Sequence, residues 1–196
     1  MTGEIATMSE QPVNPEIIRL NIGCGTGKID GFVNIDCDPE LKPDRVYNII
    51  NELPFQKDTV RQIVMYHTIE HIPKCFWQGI FLDFSRVLEP FGQFWISYPE
   101  YTKVWDYWKT NFRGQREFWE ACVFGRGSSQ SDRHCSISDT EEIKSFLTRS
   151  GFEIYWEGND GESHNTLLKC RNLKPLLYED VLKERVWPTE QQFEQK

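Results

Sequence analysis

Ile18-Arg19-Leu20-Asn21-Ile22-Gly23-Cys24-Gly25-Thr26-Gly27, continued by Phe32-Val33-Asn34-Ile35-Asp36, spells a strand, a glycine turn, a second strand and a terminal carboxylate. Glycines let a backbone turn sharply and approach a ligand where a Cβ would clash, and a carboxylate ending the second strand can accept both hydroxyls of a ribose. The pattern therefore predicts a nucleoside pocket. Dinucleotide folds place a G-x-G-x-x-G loop at a helix start, with the acidic residue about 20 positions further on. Here Asp36 arrives much sooner, and only Lys28-Ile29-Asp30-Gly31 separate Gly27 from Phe32. That leaves no room for a crossover helix whose N-terminus could hold a pyrophosphate. A nicotinamide or flavin dinucleotide is disfavoured, and a nucleoside ligand without phosphates fits better.

The chain has 196 residues, 39% of them hydrophobic and 14% aromatic, which suits one domain with a real core. Its formal charge of -8 and pI near 5.1 oppose non-specific attraction to phosphate backbones. The best local basic patch is Arg113, Arg116, Arg126 and Arg133. Six scattered cysteines without a C-x-x-C pair form neither a disulfide framework nor a zinc ribbon. No apolar run approaches the roughly 18 residues of a membrane span, and the polar first residues lack a signal pattern, so a soluble, cytoplasmic protein is expected.

Strands are expected near Arg19 to Ile22, Phe32 to Asp36, Arg45 to Ile49, Gln62 to Tyr66, Gln93 to Tyr98, Phe152 to Glu157 and Thr166 to Arg171. Helices are expected over Phe76 to Leu88 and Thr140 to Arg149, the second begun by Ser138 or Asp139 and ended by Gly151. Alternating strands and helices predict an α/β protein with a mostly parallel sheet. The connections flanking the second strand are too short for long helices, which leaves one sheet face thinly covered and open to a partner or a second subunit. Residues 1–14 read as a disordered lead, 15–173 as the folded domain, and 174–196 as a final helix and tail. Within the domain, an aromatic-rich segment at about 101–135 breaks the alternation and reads as an insertion or lid beyond the fifth strand.

The segments "LNIGCGTGKIDGFVNID", "NELPFQKDTVRQIVMYHTIEHI" and "FSRVLEPFGQFWISYPE" resemble, in order and spacing, successive motifs of the class I S-adenosylmethionine-dependent methyltransferases. The resemblance implies a Rossmann-like, seven-stranded sheet with an antiparallel last strand and reduced helices around the second strand. It implies S-adenosylmethionine as cofactor, with Gly23, Cys24, Gly25 and Gly27 under its methionine part and Asp36 on its ribose. It places Asn48 or Asn51 near the adenine, and sets Tyr66 and His67 against the sulfonium and the substrate. Arg86 to Gly92 resembles the family's helix-to-strand turn, a fold feature rather than a chemical one.

Methyl transfer to oxygen or nitrogen is an in-line displacement, so alignment and desolvation dominate and a base serves only a protonated nucleophile. His71, His67 and His134 are the candidate bases, with His71 the first choice. His67, Glu70 and His71 also have a spacing that would present three metal ligands from one turn, although no metal is the leading expectation. The Asp/Asn-Pro-Pro-Tyr/Phe motif of nucleic-acid amino-methyltransferases is absent, so a small molecule, sugar or glycan intermediate is the preferred acceptor and nucleic acid is disfavoured. The competing readings are a non-catalytic scaffold that keeps the fold and, more remotely, a nucleic-acid or protein methyltransferase.

Overall fold

Apolar runs of near-strand length supply the centre of the structure, a computed structural model that describes residues 17–111, 116–127 and 132–173. Ile18–Ile22 (β1), Val33–Asp36 (β2), Arg45–Val46 (β3), Val60–Tyr66 (β4), Leu88–Pro99 (β5), Phe152–Gly158 (β6) and Asn165–Asn172 (β7) join in one sheet. Its order is β3-β2-β1-β4-β5-β7-β6. The first five strands pair in parallel, whereas β7 runs antiparallel to both β5 and β6. This is the mostly parallel Rossmann-like sheet with an antiparallel last strand. Because β1, β2, β4 and β5 point the same way, Gly23, Asp36, His67 and Glu100 emerge along one edge, where α/β folds bind ligands.

The helix Trp77–Val87 (α1) carries Trp77, Ile80, Phe81 and Phe84 at the i, i+3, i+4, i+7 spacing of one face, and all four are fully buried. Phe94 on β5 receives them: the rings of Phe81 and Phe84 lie 5.9 and 5.2 Å from it, and that of Phe152 on β6 lies 5.5 Å away. Thr140–Arg149 (α4) covers the same face. Asp139 caps it, its side chain accepting the Glu142 amide, with Glu141 and Glu142 complementing the dipole in the first turn. Asp83 and Arg86 of α1 bind the backbone of Leu53 and Phe55, which ties the segment before β4 to the helix.

Two elements depart from the expected bounds. The third strand stops at Val46 instead of Ile49, because the Asn48 side chain accepts the Ile50 amide and its carbonyl accepts the Asn51 amide, turning the chain. The fifth strand starts at Leu88 instead of Gln93. Its pairing jumps from Val60–Leu88 to Gln62–Gln93, so Glu89 to Gly92 loop out as a bulge inside the strand, with Pro90 offering no ladder donor and Phe91 in the left-handed region.

Beyond β5 the chain forms Tyr101–Asn111 (α2) and Arg116–Phe124 (α3), which pack on each other. Glu100, buried at their root, accepts from the Thr102 and Thr140 hydroxyls. No helix among the described residues is long and apolar enough to cross a membrane. The expected lead at 1–14 and the final helix and tail at 174–196 lie outside the described residues, as does Arg113 of the basic patch. Arg126 and Arg133 of that patch are both exposed.

Candidate active site at the carboxyl ends of the strands

The glycine loop leaves β1 at Gly23, whose φ of 64° is a conformation that side chains disfavour. A Cβ there would also sit 2.2 Å from Thr68 Oγ1, so any other residue meets both strain and collision. Thr68 fills that space on purpose: its hydroxyl lies 3.3 Å from the Ile22 carbonyl and 3.0 Å from that of Tyr66, tying the end of β4 to the loop. Gly25 donates its amide to Asp36 Oδ2 at 2.8 Å, and Asp38 donates to Oδ1 at 3.0 Å. Each carboxylate oxygen keeps a second lone pair for a ligand hydroxyl. Cys24 is buried, its amide on the Ile35 carbonyl, and burial pushes its thiol above the ordinary range. Gly27 closes the turn through its amide to the Cys24 carbonyl at 2.8 Å.

Among the described residues no helix supports this loop from behind; side-chain amides do. Asn34 Oδ1 accepts from the Ile29 amide at 2.8 Å and from Asn21 Nδ2 at 2.9 Å, while Asn34 Nδ2 donates to Asp44 at 2.7 Å. Asn21 reaches the Gly27 carbonyl as well. The Asn34 backbone amide and side chain together hold the Asp44 carboxyl below its usual range. Asn21, Asn34, Asp44 and Thr68 were not singled out from sequence. A legible signal existed in the two asparagines, which interrupt otherwise apolar strands.

Asn48 and Asn51, the residues expected near an adenine, stand past β3, where Asn48 Oδ1 is engaged in the local turn. Tyr66 ends β4 half-buried, and burial raises its phenol. His67 follows with φ 50°, its amide on the Ser97 carbonyl. This twist turns the imidazole toward β7. Its Nδ1 lies 3.7 Å from Glu70 Oε1 and its Nε2 3.0 Å from Asp160 Oδ2. Glu70 first and Asp160 after it hold the His67 imidazole above the ordinary value, against the cost of burial. Asp160 itself accepts from Ser97 Oγ at 2.5 Å and from Asn165 Nδ2 at 3.0 Å. Burial works to raise its carboxyl, but these bonds outweigh it and leave it below the usual range. Asp160, Ser97 and Asn165 had no sequence signal, since Gly158-Asn159-Asp160-Gly161 reads as an ordinary turn.

The spacing-based trio of His67, Glu70 and His71 is not the group that forms. Residues Ile69–His71 make a 3₁₀ turn, and Glu70 and His71 meet His134, which arrives from the segment after α3. Their ligand atoms lie within 4.8 Å of one another. His71 donates Nδ1 to the Arg133 carbonyl at 3.2 Å, and its ring meets His134 edge-on at 4.8 Å. Burial lowers the His134 imidazole.

The aromatic insertion packs ring on ring, although Trp105, Phe118 and Phe124 keep much of their surface exposed. Trp119 is buried, stacks on Tyr107 at 5.5 Å and meets His164 edge-on at 5.6 Å, while Trp105 stacks on Trp108 at 4.9 Å. The cavity beneath is lined by Glu70, Tyr101, Val104, Cys122, His134 and Ser138.

No family model matches the chain, and no curated protein sequence matches it significantly. Solved structures do. A methyltransferase from Methanosarcina mazei superposes with a TM-score of 0.59 at 16% identity, covering 85% of this chain and 99% of its own. A Haloferax volcanii methyltransferase, solved in complex with a methyltransferase activator, gives 0.54 at 13% identity, covering 82% of this chain and 84% of its own. The geranyl diphosphate C-methyltransferase of Streptomyces coelicolor gives 0.51 at 12% identity over 82% and 73%. With the seven-stranded sheet and its antiparallel last strand, these superpositions show that the chain has the fold of the class I S-adenosylmethionine-dependent methyltransferases.

Proposed function

We propose that the protein is an S-adenosylmethionine-dependent methyltransferase acting on an oxygen or nitrogen of a small molecule, sugar or glycan intermediate. The carrying observation is the cradle in which Gly23 leaves no room for a Cβ while Asp36, fixed by two backbone amides, ends the adjacent strand. That donor set fits a nucleoside: Asp36 would hold the ribose, Gly23 to Gly27 would lie under the methionine part, and Asn48 or Asn51 would face the base. When bound, the cofactor supplies a methyl group on a positively charged sulfur.

The chain's own residues then position the acceptor and manage its proton. His67 suits the base better than His71. It sits at the end of β4 with half its ring exposed and is oriented by Asp160, whereas His71 has one ring nitrogen on the Arg133 carbonyl and the other turned toward Glu70 and His134. In this arrangement His67 donates Nε2–H to Asp160 while its Nδ1 accepts the proton of an acceptor hydroxyl or ammonium, and the carboxylates stabilise the imidazolium formed. The α2–α3 insertion shields the site from water and shapes acceptor choice.

Isothermal titration with S-adenosylmethionine and S-adenosylhomocysteine, in metal-free buffer and with magnesium, tests the reading. Micromolar binding supports it and directs a screen of sugars and small metabolites for methyl acceptance. Absence of binding in both buffers moves a scaffold role to first place. That second reading has one specific observation behind it: β3 is a two-residue edge strand, exposed on both residues and, among the described residues, without an α-helix over it, so a protein partner or a second copy has access.

A further inference from the structure

We propose that Glu70, His71 and His134 form a binding site for one divalent transition-metal ion of the zinc class. Two imidazoles and a carboxylate make a three-ligand set that leaves a coordination position open. Magnesium and calcium favour all-oxygen sets, so two nitrogen donors select against them. The ligand atoms already lie within 4.8 Å of one another. Tetrahedral zinc with bonds of about 2.0–2.1 Å holds its ligands roughly 3.3 Å apart, so small side-chain rotations close the remaining distance.

A separate observation points to a ligand here. Glu70 is 2% exposed, and its Oε2 has no hydrogen-bond partner among the described residues. A buried carboxylate oxygen without a partner is costly, and a cation removes that cost. The cavity it faces also holds Ser138 Oγ, buried and equally without a partner. The histidines are prepared in the way of metal ligands, which donate one ring N–H to a carbonyl and present the other nitrogen. His71 Nδ1 donates to the Arg133 carbonyl, leaving Nε2, and His134 has a hydrogen bond with the Cys122 backbone. The backbone holds the two halves together: the amides of Cys135 and Ser136 both donate to the Glu70 carbonyl, at 2.7 and 3.1 Å. The cavity that Glu70 and His134 line lies under the insertion and is also lined by Tyr101 and Val104. Cys122 lines that cavity too, but its thiol is not among the ligand atoms that come together.

The proposal is read by metal binding alone and does not rest on the methyltransferase assignment. Full-length protein stripped with chelator is titrated with Zn²⁺ against a chromogenic chelator, and with Co²⁺ by absorption spectroscopy. One equivalent should bind, a hundredfold excess of Mg²⁺ should not displace it, and the cobalt spectrum should show nitrogen and oxygen ligation without a thiolate charge-transfer band. His134→Ala and Glu70→Gln should each weaken zinc by more than about tenfold, the scale reached by losing even an outer partner of a metal ligand. His67→Ala should leave it in place. Circular dichroism of each variant separates lost ligation from lost folding, and His134, outside strands and helices, is the variant to weigh most. Binding unchanged in His134→Ala, loss in His67→Ala, a thiolate band, or no stoichiometric binding would each overturn the site.

Discussion

One apolar core runs under the sheet, but the sheet's two halves differ in what holds their surroundings. On the side of β4, β5, β7 and β6, aromatic side chains from α1 and α4 press on Phe94, and stability comes from apolar area removed from water. On the side of β1, β2 and β3, Leu20, Ile22 and Ile35 join the same buried core, but among the described residues no α-helix covers the loops, and there the amides of Asn21 and Asn34 with the carboxylate of Asp44 do the holding. A hydrophobic contact tolerates small displacements, whereas a hydrogen bond requires a distance and an angle. The polar half is therefore the one that sets the glycine cradle and Asp36 in place.

The largest expected effect lies in the apolar half. Phe94→Ala removes the ring shared by Phe81, Phe84 and Phe152 and should cost about 3–5 kcal/mol of unfolding free energy, measured by denaturant titration. A loss below about 1 kcal/mol would mean that this side does not depend on its aromatic core. Next is Asn34→Ala, which leaves the Ile29 amide and the Asn21 side chain without their acceptor, at about 1–3 kcal/mol for each group stranded. It should also weaken cofactor binding by loosening the loop, which a Phe94 variant that still folds should do far less.

Asp36→Ala tests the same half at the ligand. It should weaken S-adenosylmethionine by about 1–3 kcal/mol, seen in titration calorimetry, with the denaturation midpoint moved little. An unchanged affinity would remove the ribose role. Across the site, His67 serves as base only when neutral, and its raised pKa keeps it protonated to a higher pH than a free histidine. The rate should therefore rise with pH through a midpoint above the ordinary value near 6.5. Asp160→Asn removes one of the carboxylates that raise it, so the midpoint should move down while Glu70 stays intact. A midpoint that does not move would detach Asp160 from the reaction.

The same contrast decides what could be read in advance. Elements built on apolar periodicity were legible: α1 and α4 fall within a residue or so of their expected bounds, and β1, β2 and β4 follow their apolar runs. The strands that missed did so where local polar chemistry overrode the pattern, as at Asn48 after β3 and at the bulge around Pro90 in β5. In the site, the turn at Gly23 and the strand-end carboxylate of Asp36 were legible because their placement follows from local backbone geometry. Asp160 was not, since it reaches His67 across 93 positions through the turn between β6 and β7. His134 was named, but its meeting with Glu70 and His71 depends on how the segment after α3 returns, which no spacing encodes.

The smallest effect is the sharpest test of what carries the polar half. Lys28 lies 3.3 Å from Asp44, but both side chains are more than two-fifths exposed. Water and salt screen such a pair, and holding two flexible side chains in one geometry consumes most of what remains. Lys28→Ala should therefore leave the denaturation midpoint and the cofactor affinity where they are, at low and at high salt alike. Asp44 would still accept from both the backbone and the side chain of Asn34, which are the bonds assigned the structural role. If Lys28→Ala instead destabilised the protein as much as Asn34→Ala, and the loss faded with added salt, the loop would be held by charge. The contrast between an apolar half and an amide-bonded half would then need to be redrawn as one between burial and electrostatics.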